Sequence, residues 1–279
     1  MPSRRRKEEK PSTKSRFALE TLEPDKDLPH GYLSITQVGM YQRCGKQYEY
    51  RYIEKKKAPP GVALVEGICH HDAVEMDNEH KFTHGDNLRK EIVVEKFADE
   101  FMSKKKEIPK SEWIVAGEDE DDVIDRGIGM LNNYCEQIAG LIIPSHLPER
   151  KVEVELGGVP VMAFIDVEDK KSVIDYKVSK VSKSQNDVDN DLQLTICSYG
   201  SKKKRVAFCN FTKTKSCAVK VIESQRKQGD YIVADAIIGS VAEAIKAGVF
   251  PMCDPANTFP CSPKWCGYWH MCRGKMMKR

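Results

Sequence analysis

Residues 151–177 read KVEVELGGVPVMAFIDVEDKKSVIDYK. Val152, Val154 and Leu156 alternate with charges, Gly157-Gly158 interrupts, Val159 to Glu168 resumes, and Asp169-Lys170-Lys171 precedes Ser172 to Lys177. β-Rich runs divided by turn residues predict three short strands in an antiparallel meander. If Lys170-Lys171 form a two-residue hairpin loop, Asp169 opposes Ser172 and Asp166 falls opposite Asp175. Asp175 and Lys177, two apart on one strand, point to the same face. Two carboxylates and an ammonium then share one sheet surface. Like charges directly opposed across strands repel, and a divalent cation between them removes the repulsion. Hard oxygen donors suit Mg²⁺ or Mn²⁺. Such an ion lowers the pKa of a water and stabilises charge on a phosphoryl oxygen, and Lys177 is placed to orient that water or neutralise the charge. The bland alternative is a solvated hairpin, since D-x-K alone is a common pattern.

Outward from this stretch the texture changes on both sides. Upstream, Ser34 begins a helix-like run to Ile53, ended by Pro59-Pro60-Gly61. Helical patterns follow at 66–77, 87–107 and 119–141, with Pro109 and an acidic patch at Glu118 to Asp122 between the last two. Downstream, a helix is expected at 189–199, strands at 205–211 and 217–223, and an amphipathic helix at 228–248 closed by Gly248. Together these predict an α/β fold, a mixed central sheet flanked by helices. The parts are a basic, disordered arm over 1–30, a helical part over 31–150, a sheet-and-helix core over 151–250, and a cysteine-rich segment with a basic tail over 251–279.

Composition bounds the function. The 279 residues carry 45 Lys and Arg against 42 Asp and Glu, but residues 1–16 hold seven cations and two acids, and five cations follow Cys261 with no acid. Basic ends suit a polyanion such as nucleic acid, although charge runs are often only solvated. No stretch is apolar enough to span a bilayer and the start lacks a signal-peptide core, so a secreted or membrane protein is not expected. The absence of any G-x-x-x-x-G-K-[ST] run leaves duplex unwinding to a partner.

Ten cysteines in such a chain point to metal or catalysis rather than disulfides. Cys261, Cys266 and Cys272 form C-x₄-C-x₅-C with Trp265, Tyr268 and Trp269 interleaved. Three thiolates need a fourth ligand to close a zinc site or a cubane cluster. Cys253 is the nearest candidate, and Cys44, in Gln42-Arg43-Cys44-Gly45-Lys46-Gln47-Tyr48, is the other.

The order Gly67-Ile68-Cys69-His70-His71, then the Gly-rich hairpin with its hydrophobic-Asp end, then Asp175-Tyr176-Lys177, then Gln193-Leu194 resembles the RecB-like branch of the PD-(D/E)XK nuclease superfamily over roughly 34–272. The resemblance implies a restriction-endonuclease-like core and a metal-dependent deoxyribonuclease, an exonuclease more than an endonuclease. It implies metal binding by His71, Asp166, Asp175 and the backbone carbonyl of Tyr176, with Lys177 catalytic and Gln193 supporting. Family members often place a tyrosine four residues after that glutamine; here the position is Cys197. A subset of the branch holds a [4Fe–4S] cluster with one early and three late cysteines, which implies Cys44, Cys261, Cys266 and Cys272, with zinc as the alternative. DNA is the implied substrate. A helicase, a recombinase or a CRISPR adaptation complex is the implied kind of partner, in the cytoplasm of a bacterial or phage-infected cell. The rival class is a non-catalytic DNA-binding or assembly module that kept the fold.

Overall fold

The structure is a computed structural model that describes residues 22–254, 256 and 260–277. The hairpin at its centre forms where the sequence places it. Strands β2 (Arg150–Leu156) and β3 (Val159–Ile165) pair antiparallel around Gly157 and Gly158. Both glycines take positive φ, 58° and 72°, as a tight two-residue hairpin turn demands. β1 (Leu33–Ser34) adds to β3 in parallel, so one sheet has the order β1-β3-β2.

The expected three-strand meander is corrected at its third member. β3 stops at Ile165; the chain bends at Asp166 and continues as β4 (Val167–Glu168), which belongs to a second sheet ordered β4-β5-β6-β7. β5 (Ser172–Ser179) pairs antiparallel with β4, in parallel with β6 (Arg205–Thr212), and β6 pairs antiparallel with β7 (Val219–Gln225). Asp169 closes the β4–β5 turn, its Oδ1 accepting from the Lys171 and Ser172 amides at 2.6 Å. Asp169 opposes Ser172 as the sequence predicts, its amide donating to the Ser172 carbonyl at 3.0 Å, but the ladder ends at the Val167↔Ile174 pair, and Asp166 lies near Asp175 without being paired with it.

The first helical run is also interrupted. α1 (Ile35–Arg43) starts at Ser34, whose hydroxyl accepts from the Gln37 amide, but Cys44 is extended and splits the run into α1, α2 (Gly45–Tyr48) and a π turn at Glu49–Ile53. α3 (Val62–His84) is longer than the expected 66–77, and the reason is chemical. It buries polar side chains that blur an apolar stripe: Glu66 is paired with Arg126 and Lys213, and Asp77 with Lys81. α4 (Lys90–Lys104), α5 (Lys110–Ala116) and α6 (Glu120–Gln137) follow. α5 was not anticipated; Pro109, read as a separator, is its N-cap. The single helix expected at 189–199 is two, α7 (Gln185–Asp189) and α8 (Leu192–Ser201), and α9 (Gln228–Lys246) precedes Gly248 at φ 68°.

Two apolar clusters result. One packs α1, α8 and α9 on the β1-β3-β2 sheet; the other packs α3, α4 and α6 on β5 and β6 through Ile174, Tyr176 and Phe211. The break at Asp166 lies between them. Residues 1–21 of the expected arm lie outside the described residues, but 22–30 do not behave as an arm: Leu28 is buried and Asp25 pairs with Lys246 at 2.6 Å. Lys278 and Arg279 of the basic tail are likewise outside. No described helix is long and apolar enough to cross a membrane.

Candidate active site

Asp175 and Lys177 emerge from one face of β5, as alternation requires, and Lys177 Nζ lies 2.7 Å from Asp175 Oδ2. Asp175 is 3 % exposed, and neither carboxylate oxygen accepts a hydrogen bond of good geometry despite that close ammonium. A buried carboxylate left in this state is costly unless something else completes its shell. Lys177 also donates to Gln193 Oε1 at 3.1 Å, which brings the α8 glutamine to the β5 lysine. Burial disfavours the Lys177 charge, but Asp175 outweighs it and holds the ammonium above its ordinary pKa.

Asp166 reaches across the end of the β4–β5 pairing. Its Oδ2 accepts from the Tyr176 amide at 2.7 Å and lies 3.6 Å from His71 Nδ1. The other ring nitrogen of His71 is 2.8 Å from the Tyr176 carbonyl oxygen. The imidazole, the Asp166 carboxylate and the Tyr176 carbonyl therefore converge. The Tyr176 phenol points away, bonded by Asn78 at 2.9 Å and Tyr134 at 3.3 Å in the α3–α6 core. Burial, and then the nearby Asp175, push the Asp166 carboxyl well above the usual range. All six residues singled out in the sequence thus meet in one place. His70, the neighbour of His71, turns inward instead, fully buried against Phe97 and Phe211. Glu155 sits exposed on β2 opposite Pro160, and Cys197 is buried with its thiol toward the Phe164 carbonyl.

Two contributors escaped the sequence. Glu149 offers a carboxylate oxygen that, with one ligand atom each from His71 and Asp166, forms a trio lying mutually within 4.8 Å. Its backbone has φ 51°, a left-handed conformation unusual for a residue with a long side chain, and its amide donates to the Asp166 carbonyl at 3.3 Å. Burial, then the Glu75 carboxylate, raise its pKa. Arg226, 1 % exposed, donates to Thr195 Oγ1 and to the carbonyls of Val188 and Asp191, and so braces the α7–α8 junction that presents Gln193. Glu149 follows Pro148 with no strand pattern around it, and Arg226 reads as one more surface cation; neither carries a sequence signal.

The cysteines gather elsewhere. Cys44, Cys253, Cys261, Cys266 and Cys272 line one cavity of about 270 Å³, closed by Tyr50, Tyr268 and Trp269. Gly45 makes this possible: a Cβ there would stand 2.7 Å from Pro251 Cδ and 2.8 Å from its nitrogen, so only glycine lets the 250–251 backbone lie against α2. The Lys46 amide donates to the Pro251 carbonyl at 3.2 Å, and Phe250 stacks on Tyr48. Cys253 was outside the implied ligand set, yet it lines the same cavity; burial first, then the neighbouring Cys261 and Cys44 thiols, push its pKa up to about 12.

The family model described as the PD-(D/E)XK nuclease superfamily matches residues 32–273. No curated protein matches the chain. Among solved structures, a protein from Eubacterium rectale named as a candidate exonuclease superposes with a TM-score of 0.53 at 11 % identity, covering 81 % of this chain and 86 % of that one. The structure of SSO0001 covers 73 % of this chain and 84 % of its own at 15 % identity, with a TM-score of 0.37. The first likeness supports the mixed α/β restriction-endonuclease-like fold.

Proposed function

Because this chain belongs to the PD-(D/E)XK nuclease superfamily, we propose that it is a metal-dependent deoxyribonuclease, an exonuclease, that hydrolyses DNA phosphodiesters at the His71–Asp166–Asp175–Lys177 centre. The observation that carries this reading is Asp175, buried with neither carboxylate oxygen accepting a hydrogen bond of good geometry, near Asp166, around which His71, Glu149 and the Tyr176 backbone gather. This donor set is hard oxygen with one imidazole, which fits Mg²⁺ or Mn²⁺. His71, Asp166, Asp175, Glu149 and the Tyr176 carbonyl would hold the ion. A divalent cation bound there would stabilise the negative charge on a phosphoryl oxygen and lower the pKa of a water.

The chain's own residues do the rest. Lys177 stays protonated beside Asp175 and directs N–H donors toward the phosphoryl oxygen that gains charge. Gln193 holds the lysine on that heading, and Asp191, at the start of α8, caps the helix through the Leu194 amide at 2.7 Å. Asp166 fixes the strand end through the Tyr176 amide, and the same carboxylate oxygen lies 3.6 Å from the His71 ring.

The cysteine cavity is read as a [4Fe–4S] site held by Cys44, Cys261, Cys266 and Cys272. All ten cysteines are free thiols. The four proposed ligands line the cavity together with Cys253, and four thiolates complete the shell of such a cluster, with zinc as the alternative. The cluster would staple the first helices to the C-terminal segment. A helicase, recombinase or CRISPR adaptation complex would supply opened DNA.

The test is digestion of end-labelled linear DNA with blocked 5′ or 3′ ends, beside a circular control, with Mn²⁺ and then with chelator. Stepwise loss from one free end, a surviving circle and no cleavage by Asp175→Asn are expected. Cleavage of the circle would replace the exonuclease reading with an endonuclease, and full activity of Asp175→Asn would remove the proposed centre.

A further inference from the structure

A second cleft, of about 380 Å³, opens between the start of α3, the α1–α2 turn and the cysteine segment. Arg43, Arg51, Lys180 and Lys264 line it around an apolar floor that includes Leu64 and Trp265. All four cations are exposed, Trp265 is 48 % exposed and Leu64 56 %. Two acids also border the cleft, Glu112 and Glu118, but Glu118 is spent on Arg126 and Lys180. The balance is positive. That is the opposite of the metal centre, where several carboxylates face one lysine.

The two places are joined by the elements that build them. Leu64 and His71 are seven residues apart on α3, about 10 Å along its axis, with half-exposed Ile68 between them on the same face. Lys180 lies three residues past Lys177 at the end of β5, again about 10 Å. A helix and a strand that each present a side chain to the metal centre therefore each deliver a residue to the cleft.

We infer that this cleft holds the stretch of single-stranded DNA that flanks the bond being cut, Trp265 stacking a base while Arg43, Arg51 and Lys264 bind phosphates. The inference rests on the nuclease reading for what lies at the centre, but its own basis is the cleft. An acidic centre repels a polyphosphate, so cations just outside it must supply the binding. Aromatic faces beside cations are what a single strand requires, because every base offers a π-face once it is unstacked. Lys264 already sits 5.8 Å over the Trp265 ring, an ammonium and an aromatic surface presented together. A paired duplex shows its phosphates but not its base faces, and would gain nothing from the tryptophan.

The experiment is fluorescence anisotropy of an unstructured oligothymidylate of about 20 nucleotides in chelator, with wild type, Arg51→Gln, Lys264→Gln, Trp265→Ala and Trp265→Phe. Loss of about tenfold in affinity is expected for Trp265→Ala, with recovery in Trp265→Phe. Each cation variant should lower the slope of log affinity against log salt by about 0.7. The two surface cation variants keep the test sound should Trp265→Ala disturb the cysteine segment. Wild-type affinity in Arg51→Gln and Lys264→Gln, or equal losses for a duplex of the same length, would overturn the inference. With Mn²⁺, hydrolysis of bis(p-nitrophenyl) phosphate, too short to reach the cleft, reads the centre separately. Its failure in wild type would remove the nuclease reading, and the anisotropy would still decide the cleft.

Discussion

Replacing Glu149 by glycine should make the metal-free protein more stable and the metal-loaded protein no better. The left-handed backbone at φ 51° costs a side-chain-bearing residue about 1–2 kcal/mol. Glycine removes that cost, and the extra freedom of its unfolded chain returns roughly 0.5–1 kcal/mol. Removing a carboxylate that lies close to Asp166 adds relief of the same sign. The net in chelator is about 1 kcal/mol of stabilisation, a rise of about 2–4 °C in Tm for a chain of this size. The carboxylate is also a proposed ligand. Its loss should weaken Mn²⁺ binding at least tenfold, which takes about 1.4 kcal/mol from the stabilisation the ion gives at saturation. The two melting curves should therefore separate in chelator and close up, or cross, in excess Mn²⁺. Differential scanning calorimetry with and without the ion reads both effects, and Glu149→Gln, which keeps the backbone strain but not the charge, separates them. A glycine variant that melts below wild type in chelator would show that no strain is stored there. An unchanged Mn²⁺ shift would show that Glu149 is not a ligand.

Lys177→Ala should lower cleavage about 100- to 1000-fold, as loss of a donor to developing charge does, whereas Gln193→Ala, which only frees the lysine, should lose about tenfold; single-turnover rates in Mn²⁺ check both. His70 is held near pKa 4 by burial against an ordinary 6.5. The unfolded chain takes up its proton first as pH falls, so stability drops between pH 6.5 and 4, by about 3 kcal/mol for this one group. His70→Leu should flatten that part of the urea-denaturation profile, and an unaltered profile would assign the acid loss elsewhere. Protein purified without oxygen should be brown, and Cys44→Ser should lose the colour and lower the Tm as fully as Cys266→Ser, while Cys253→Ser keeps both; iron analysis and melting decide.

The parts of the site that alternate along a strand or recur along a helix were legible. Asp175 and Lys177 share a face because the β period is two, and the Asp169 turn sets a register that brings Asp166 to the neighbourhood of Asp175, although the ladder stops one residue short of pairing them. His71 was picked out from His70 by its spacing from Gly67, and the structure turns His70 inward and His71 toward Asp166. What stayed hidden depends on tertiary contact. The bend that divides β3 from β4 has no turn residue to announce it, only Asp166 itself. α3 hid its length behind buried ion pairs, and Glu149 owes its place beside His71 and Asp166 to the path of the chain before β2 rather than to any pattern. Cys253 shows the same limit: its place in the cysteine cavity follows from the close approach of Pro251 to Gly45, a contact between residues two hundred positions apart.

The bend at Asp166 has a consequence for how the sheet and the centre share one set of atoms. β4 covers only the first part of β5; beyond Val167 it peels away, and the amide of Tyr176 finds a carboxylate where a strand would have offered a carbonyl. The Tyr176 carbonyl is met by an imidazole in the same way. The centre is therefore an unzipped length of sheet edge, with side chains standing in for the missing backbone. Asp166 is at once a proposed ligand and a rung of the ladder, so its removal orphans a backbone donor, while removal of Asp175 orphans none. Lengthening β4 by two residues would close the zipper over the Tyr176 amide and carbonyl, and the same change would seal off the atoms proposed to bind the ion. The fold holds that edge open against its own tendency to pair.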